Sequence, residues 1–158
     1  MIVRLSEYET LVGAQVGMMR NIQSIKSGKV DFVGGPPEGI GWNIHVEGAC
    51  GEMAVAKAFG VYWNPTVNTY QDGGDVGDEW QVRTRSRDDY ELYVRPRDLE
   101  KKADKPFILV TGAAPRFRIV GWMIGKDAKR DKWWQMHGGK PGAWFVPQSC
   151  LRPLGELR

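Results

Sequence analysis

At 158 residues, 42% apolar and 26% charged, the chain suits a single domain with a core of its own. No apolar run approaches the about 18 residues of a membrane span, and Met1–Glu7 lacks the basic-then-apolar order of a secretory leader, so a cytoplasmic location is expected. A net charge of +3 permits a polyanionic partner without requiring one, and Cys50 and Cys150, with no CxxC neighbour, read as free thiols of a reducing compartment.

Ser6 and Glu9 have capping-box spacing, and Leu11, Ala14, Met18, Ile22 and Ile25 recur at three and four residues. That pattern predicts an amphipathic helix from Ser6 to about Lys26. Gly28 and the run Gly34-Gly35-Pro36-Pro37-Glu38-Gly39 end it in a linker. A second helix is expected from about Ile44 to Phe59, stopped by Gly60. Its small residues Gly48, Ala49, Gly51 and Ala54 invite close approach of another backbone or a ligand, and each glycine costs roughly 0.8–1 kcal/mol relative to alanine.

Beyond Gly60 the period becomes that of strands, at Tyr62–Tyr70, Trp80–Arg85, Tyr90–Arg95, Phe107–Thr111 and Phe117–Ile124. Phe107–Thr111 is almost wholly apolar and belongs at a sheet centre. The tail, Lys126–Arg158, reads as aromatic-rich loop in which Trp133, Trp134, Trp144 and Phe145 cover an edge of the core. Two helices followed by strands of antiparallel look predict an α/β (α+β mixed) domain, with a central mixed sheet flanked by helices.

The stretch DGGDVGDEWQVRTR, Asp72 to Arg85, carries the chemistry-bearing residues. Asp72, Asp75 and Asp78 are what a glycine-rich turn prefers, because short carboxylates bond the local backbone. Glu79 opposite Arg83 or Arg85 reads as a surface ion pair, worth about 0–1 kcal/mol. Turn chemistry is the expectation for Asp72 and Asp78. Asp75 is read as functional, because it coincides with Glu52 on the second helix and with Gln81 and Arg83, two apart on one face of a strand. Such a set offers hard oxygen ligands to Mg²⁺ and a cation for phosphate charge. Arg83, Arg85, Arg87, Arg95 and Arg97 follow as a basic strip.

Other motifs are bland. His45 and His137 have no metal spacing, and His45 reads as a satisfied or exposed residue. Neither cysteine has a histidine and an acid beside it in the manner of a thiol nucleophile. Gly73-Gly74 and Gly138-Gly139 lack the strand–loop–helix setting of a phosphate loop. Trp133-Trp134 read as core or interface rather than as a base-stacking platform.

Taken together, Gly48-Ala49-Cys50-Gly51-Glu52 on a helix, then Asp75, then Gln81-Val82-Arg83 on a strand resemble the helix-Glu, Asp, Glu-x-Lys order of PD-(D/E)XK nucleases, over roughly Ile44 to Ile124. The strings DVG, QVRTRS, YELYVRPRD, FILVTG and IVGWMIG also look like those of phage and prophage proteins. The resemblance implies a restriction-endonuclease-like αβββαβ core at 44–124 within one domain, 1–158. A helix and linker to residue 40 precede that core, and the aromatic-rich extension 126–158 follows it.

The resemblance further implies Mg²⁺- or Mn²⁺-dependent hydrolysis of nucleic acid, DNA rather than RNA, in the bacterial host cytoplasm. Glu52, Asp75 and Gln81 would ligate the metal, Arg83 would meet the phosphate, and Arg85, Arg87 and Arg95 would neutralise backbone charge. Two positions depart from the family order. Gln81 is neutral where the family has an acid, and Arg83 stays protonated where a lysine can be tuned. These departures point to an alternative, a catalytically inactive nucleic-acid-binding or assembly module on the same fold. A third reading is a structural phage protein whose aromatic C-terminal region makes a homo-oligomer contact.

Overall fold

The computed structural model describes residues 1–27, 40–67, 74–77, 79–137 and 141–157. Asp72, Asp78, the 34–39 linker and the Gly138-Gly139 pair lie outside these residues, as do Gly28, Gly73 and the end of the expected 62–70 strand. In chain order the elements are β1 (Ile2–Arg4), α1 (Glu7–Lys26), α2 (Ile40–Phe59), β2 (Gln81–Arg85) and β3 (Leu92–Val94). There follow α3 (Pro96–Lys102), β4 (Pro106–Ala113), β5 (Arg116–Ile124), β6 (Trp134–Gln135) and β7 (Ala143–Val146), with short 3-10 turns between β5 and β6 and after β7.

The helix starts and stops obey local chemistry. Ser6 Oγ accepts the Glu9 N–H at 3.2 Å while Glu9 Oε2 accepts the Ser6 N–H at 2.6 Å, so the expected capping box begins α1. Gly60 follows α2 with φ +65, a left-handed conformation that glycine adopts without strain. Residues 61–67 form no strand: Pro65 interrupts the run, and the Thr66 N–H turns back to Asn64 O at 2.7 Å. The helix α3 was not expected from periodicity. Its start is nonetheless written in the chain, with Pro96 in the first turn and Asp98 Oδ2 accepting the Arg95 N–H at 3.0 Å.

The main sheet has the order β1-β5-β4-β2. Its β1–β5 and β5–β4 pairs are antiparallel, whereas β2 and β4 are parallel, with Gln81 beside Phe107 and Arg85 beside Thr111. A parallel neighbour needs a crossover, and the connection holding β3 and α3 supplies it; this corrects the antiparallel look of the strand run. A second, antiparallel sheet has the order β3-β7-β6. The C-terminal tail is therefore part of a sheet rather than loop. Trp133 and Trp144 are buried in its core, while Trp134 stays 40% exposed.

Three layers result. On one face of the main sheet, α2 places Cys50, Met53 and Ala54 against Val82, Ile108 and Val110. On the other face, Phe107, Leu109 and Met123 meet Leu92, Val94, Trp144 and Val146 of the second sheet. Burying each such side chain contributes about 1.5–3 kcal/mol.

Small residues set the helix spacing. A Cβ on Gly51 would collide with the Thr84 side chain, so this glycine lets α2 lie directly on β2. Gly48 has open space around the same point, so close approach explains one of the two glycines and not the other. The helix pair α1–α2 also closes on glycines: a Cβ on Gly13 would meet Cys50 Sγ at 2.7 Å, and one on Gly17 would meet Val46 Cα at 2.5 Å. The buried residues of α1 are Gly13, Gly17 and Asn21. Of the apolar stripe expected along α1, Leu11, Met18 and Ile25 are exposed and Ala14 and Ile22 half-buried, because glycine contact lets the helices approach on the opposite side.

Candidate functional site

The edge strand β2 organises the site. Among the described residues its outward side has no neighbouring strand, and the turn before it folds back there: Asp75 N–H donates to Trp80 O at 2.7 Å, and Val76 and Trp80 form an antiparallel bridge. Asp75 Oδ2 then accepts the Val82 N–H at 2.8 Å. One carboxylate thus satisfies a backbone donor that an edge strand leaves unpaired. Both sequence readings of Asp75 meet here, since it serves the turn and sits beside the charged residues.

Side chains of β2 alternate between faces. Val82 and Thr84 face α2, and Gln81, Arg83 and Arg85 face the second sheet and α3. Glu52 therefore comes from the helix on one face of β2 and Gln81 rises from the other. Asp75, at the edge, acts on both sides: its charge reaches Glu52 and Arg20, and its Oδ2 lies 3.6 Å from Arg83 Nη1.

Glu52 is buried at 8% exposure and fully engaged. Arg20 of α1 grips it with both nitrogens, Nη1 to Oε1 at 2.6 Å and Nη2 to Oε2 at 2.9 Å, and Trp63 Nε1–H donates to Oε2 at 3.1 Å. Burial raises the Glu52 pKa and the Asp75 charge adds to it, against the opposing pull of Arg20 and Trp63. For Arg20, burial disfavours the charge, but the Glu52 hydrogen bonds and the charges of Glu52 and Asp75 outweigh it and raise the pKa.

Gln81 is 1% exposed, and its Oε1 accepts from Lys102 Nζ at 2.7 Å. Arg83 spans Asp75 and Asp98, with Nη2 3.1 Å from Asp98 Oδ2, and its guanidinium lies 4.9 Å from the Phe107 ring centroid. Burial opposes the Arg83 charge, yet Asp98, Tyr93 and Asp75 hold its pKa above the ordinary value. Both Glu52 oxygens, the Gln81 Oε1 and the Asp75 Oδ2 are therefore occupied by protein donors. As they stand these side chains do not fit a divalent ion, because an ion on Glu52 would require Arg20 to leave it. Among the described residues, no three side chains of His, Cys, Asp and Glu gather in a way that could hold a metal.

The arginines beyond Arg83 are arranged differently. Arg85 lies over Tyr90, Tyr93 and Phe145, with its guanidinium carbon 4.4, 5.2 and 5.9 Å from the ring centroids. Arg87 is 5.3 Å from Tyr90, and Arg95 is 5.0 Å from Tyr93. Arg87 pairs with exposed Asp89 at 2.9 Å, whereas Arg85 and Arg95 have no carboxylate within 4 Å among the described residues. Burial lowers the Arg85 pKa, and guanidinium retains its charge through such a shift.

A polar network fixes the loop that carries them. Thr111 Oγ1 donates to Asp88 Oδ1 at 3.1 Å, Arg118 Nη2 donates to Asp88 O at 2.6 Å, and Gln148 Nε2 donates to Asp88 O and Tyr90 O at 2.7 and 2.8 Å.

The thiols stand apart from this chemistry. Burial, with Glu47 and Glu52 adding to it, pushes the Cys50 thiol up to about 11, so it is neutral at ordinary pH and no nucleophile. Sequence reasoning missed Arg20, Trp63, Asp98 and Lys102. Asp98 and Lys102 lie in the unanticipated helix α3, whose signal was Pro96. Arg20 and Trp63 carry no local signal, because the packing of α1 on α2 brings Arg20 to Glu52 and the return of the chain after Gly60 brings Trp63 there. Comparison with protein-family models, with curated proteins and with solved structures finds no match.

Proposed function

We propose that this domain binds nucleic acid, DNA rather than RNA, on a restriction-endonuclease-like core whose acidic cluster has become framework. The parallel β2–β4 pair, with α3 in the connection between them, supports that core, while β3 of the same connection joins the second sheet. One observation carries the binding function. Arg85 and Arg95 hold guanidinium groups over aromatic rings with no carboxylate within 4 Å among the described residues, beside Arg87. Arginine placed this way meets phosphate with its charge and bases with its plane.

The function is tested by fluorescence anisotropy of labelled DNA in chelator. Binding that persists without metal, and whose salt dependence becomes shallower by about one counterion when Arg95 is replaced by alanine, supports it. Absence of binding at low salt sinks it.

Metal-dependent hydrolysis is the second reading. The Asp75 charge acting on Glu52, together with the 27% exposure of the Asp75 side chain, favours it, and it requires Arg20 to release Glu52. Incubation of plasmid and single-stranded DNA with Mg²⁺ or Mn²⁺ decides: cleavage abolished by Asp75→Ala replaces the binding function with a catalytic one.

A further inference from the structure

The second sheet turns one face to the core and the other away from it. Leu92 and Val94 of β3 and Trp144 and Val146 of β7 are buried in the core between the sheets. Tyr93 and Phe145, the residues between them, stand directly opposite each other in the β3–β7 pair and are half-buried on the outer side. Their ring centroids lie 6.5 Å apart. Exposed His137 meets Phe145 edge to face at 5.1 Å, and its Nε2 donates to Gln135 Oε1 at 2.9 Å, which holds the ring in place. From the other side Arg85 lies over Phe145, Tyr93 and Tyr90, and Arg87 lies against Tyr90. One row of flat groups results, from Arg87 through Tyr90, Arg85 and Phe145 to His137, with each step between 4.4 and 5.9 Å.

We propose that this row is a base-stacking platform and that the DNA it takes is single-stranded; the proposal rests on the binding function above and names its substrate. The reason is access. In a duplex the faces of each base are covered by its neighbours in the stack, so a protein meets only base edges and backbone, and reading them places a helix or a two-stranded ribbon in a groove. A sheet face presents planes instead. In a single strand the base faces are open, and they stack on aromatic rings and on guanidinium planes alike, with little regard to sequence. Charge completes the match. Arg85, Arg87 and Arg95 gather at the Tyr90–Tyr93 end, where they can neutralise phosphates, while beyond Arg85 the row continues through the rings of Phe145 and His137. Phosphate and base contacts thus lie side by side along one strand.

Anisotropy of a labelled single strand of about 12 nucleotides, set against a duplex of the same sequence in chelator and at fixed salt, tests the platform. The single strand is expected to bind at least about tenfold more tightly. Phe145→Leu keeps an apolar side chain in place and removes the ring. It is expected to weaken single-strand binding by about fivefold and to change duplex binding by less than about twofold. Its salt slope should stay that of wild type, because stacking releases no counterion, whereas Arg95→Ala makes the slope shallower. His137→Ala, at an exposed position where folding is not at stake, should weaken single-strand binding by about two- to threefold. Equal or tighter binding to the duplex overturns the platform and leaves the nucleic-acid function standing. So does a single-strand preference that neither ring change reduces. Binding to neither substrate at low salt overturns that function and the platform with it.

Discussion

The two ends of β2 handle charge in opposite ways. At its start, Glu52, Asp75 and Asp98 are matched by Arg20 and Arg83, Gln81 is held by Lys102, and Glu52 and Gln81 have almost no contact with water. At its far end Arg85, and ahead of α3 Arg95, lie on aromatic rings with no carboxylate within 4 Å among the described residues. Charge matched and buried fixes shape, because breaking any pair strands its partner in a medium that solvates it poorly. Charge left unmatched at a half-exposed rim is what remains to meet another molecule. A family motif read from sequence weights the first cluster; the geometry weights the second.

The largest effect expected from breaking this contrast is at Glu52. Glu52→Ala leaves Arg20 buried without its carboxylate and should cost about 3–5 kcal/mol in urea unfolding, whereas Glu52→Leu combined with Arg20→Met should recover most of that loss. A cost under about 1 kcal/mol for the single change would mean that the pair is not framework. Asp98→Ala is next, at roughly 2–4 kcal/mol, because among the described carboxylates Arg83 would keep only Asp75, at 3.6 Å.

Asp98 also gives the cluster a pH signature. Burial alone would raise its pKa, but Arg83, the Arg95 N–H and the Arg95 charge outweigh burial and hold it below the ordinary value. The stability this contributes is present above the unfolded aspartate value of about 3.9 and is lost as pH falls through the lower folded value. Stability curves of wild type and Asp98→Asn should therefore converge below about pH 4. Parallel curves across that window would remove Asp98 from the network. Asp75→Ala, which frees the Val82 N–H at the sheet edge, should cost about 1–3 kcal/mol.

The smallest stability effects and the largest binding effects are expected at the rim. Arg95→Ala should change unfolding by no more than about 0.5–1 kcal/mol while weakening DNA binding by about three- to tenfold, read by anisotropy at fixed salt. Asp89→Asn releases Arg87 from its one exposed acid and should strengthen binding slightly. A strengthening that vanishes when Arg87 is also replaced ties it to that arginine.

Part of this was legible in the sequence. The capping box of α1, the Gly60 stop, the central apolar strand and the mixed α/β class follow from local rules that folding leaves intact. The Arg85–Arg87–Arg95 cluster was also legible, because three arginines close in sequence stay close when β2 turns into β3. The partners of Glu52 and Gln81 were not. Arg20 and Lys102 lie 32 and 21 residues away, and only the packing of helices on the sheet brings them in. The side on which α1 packs was not legible for a related reason: a period of three and four marks an apolar stripe but not what the stripe faces. Gly13 and Gly17, which carry no hydrophobic signal, decide that α1 meets α2 on its other side.

The most direct test sets one residue from each end of β2 side by side. DNA affinity of Asp75→Ala and of Arg95→Ala is measured in chelator across a range of salt, under conditions where both variants are folded. If the cluster is framework and the rim is the contact surface, Asp75→Ala binds as wild type does, while Arg95→Ala binds more weakly with a salt slope shallower by about one. The reverse outcome, with binding indifferent to Arg95 and dependent on Asp75, would contradict that division of labour.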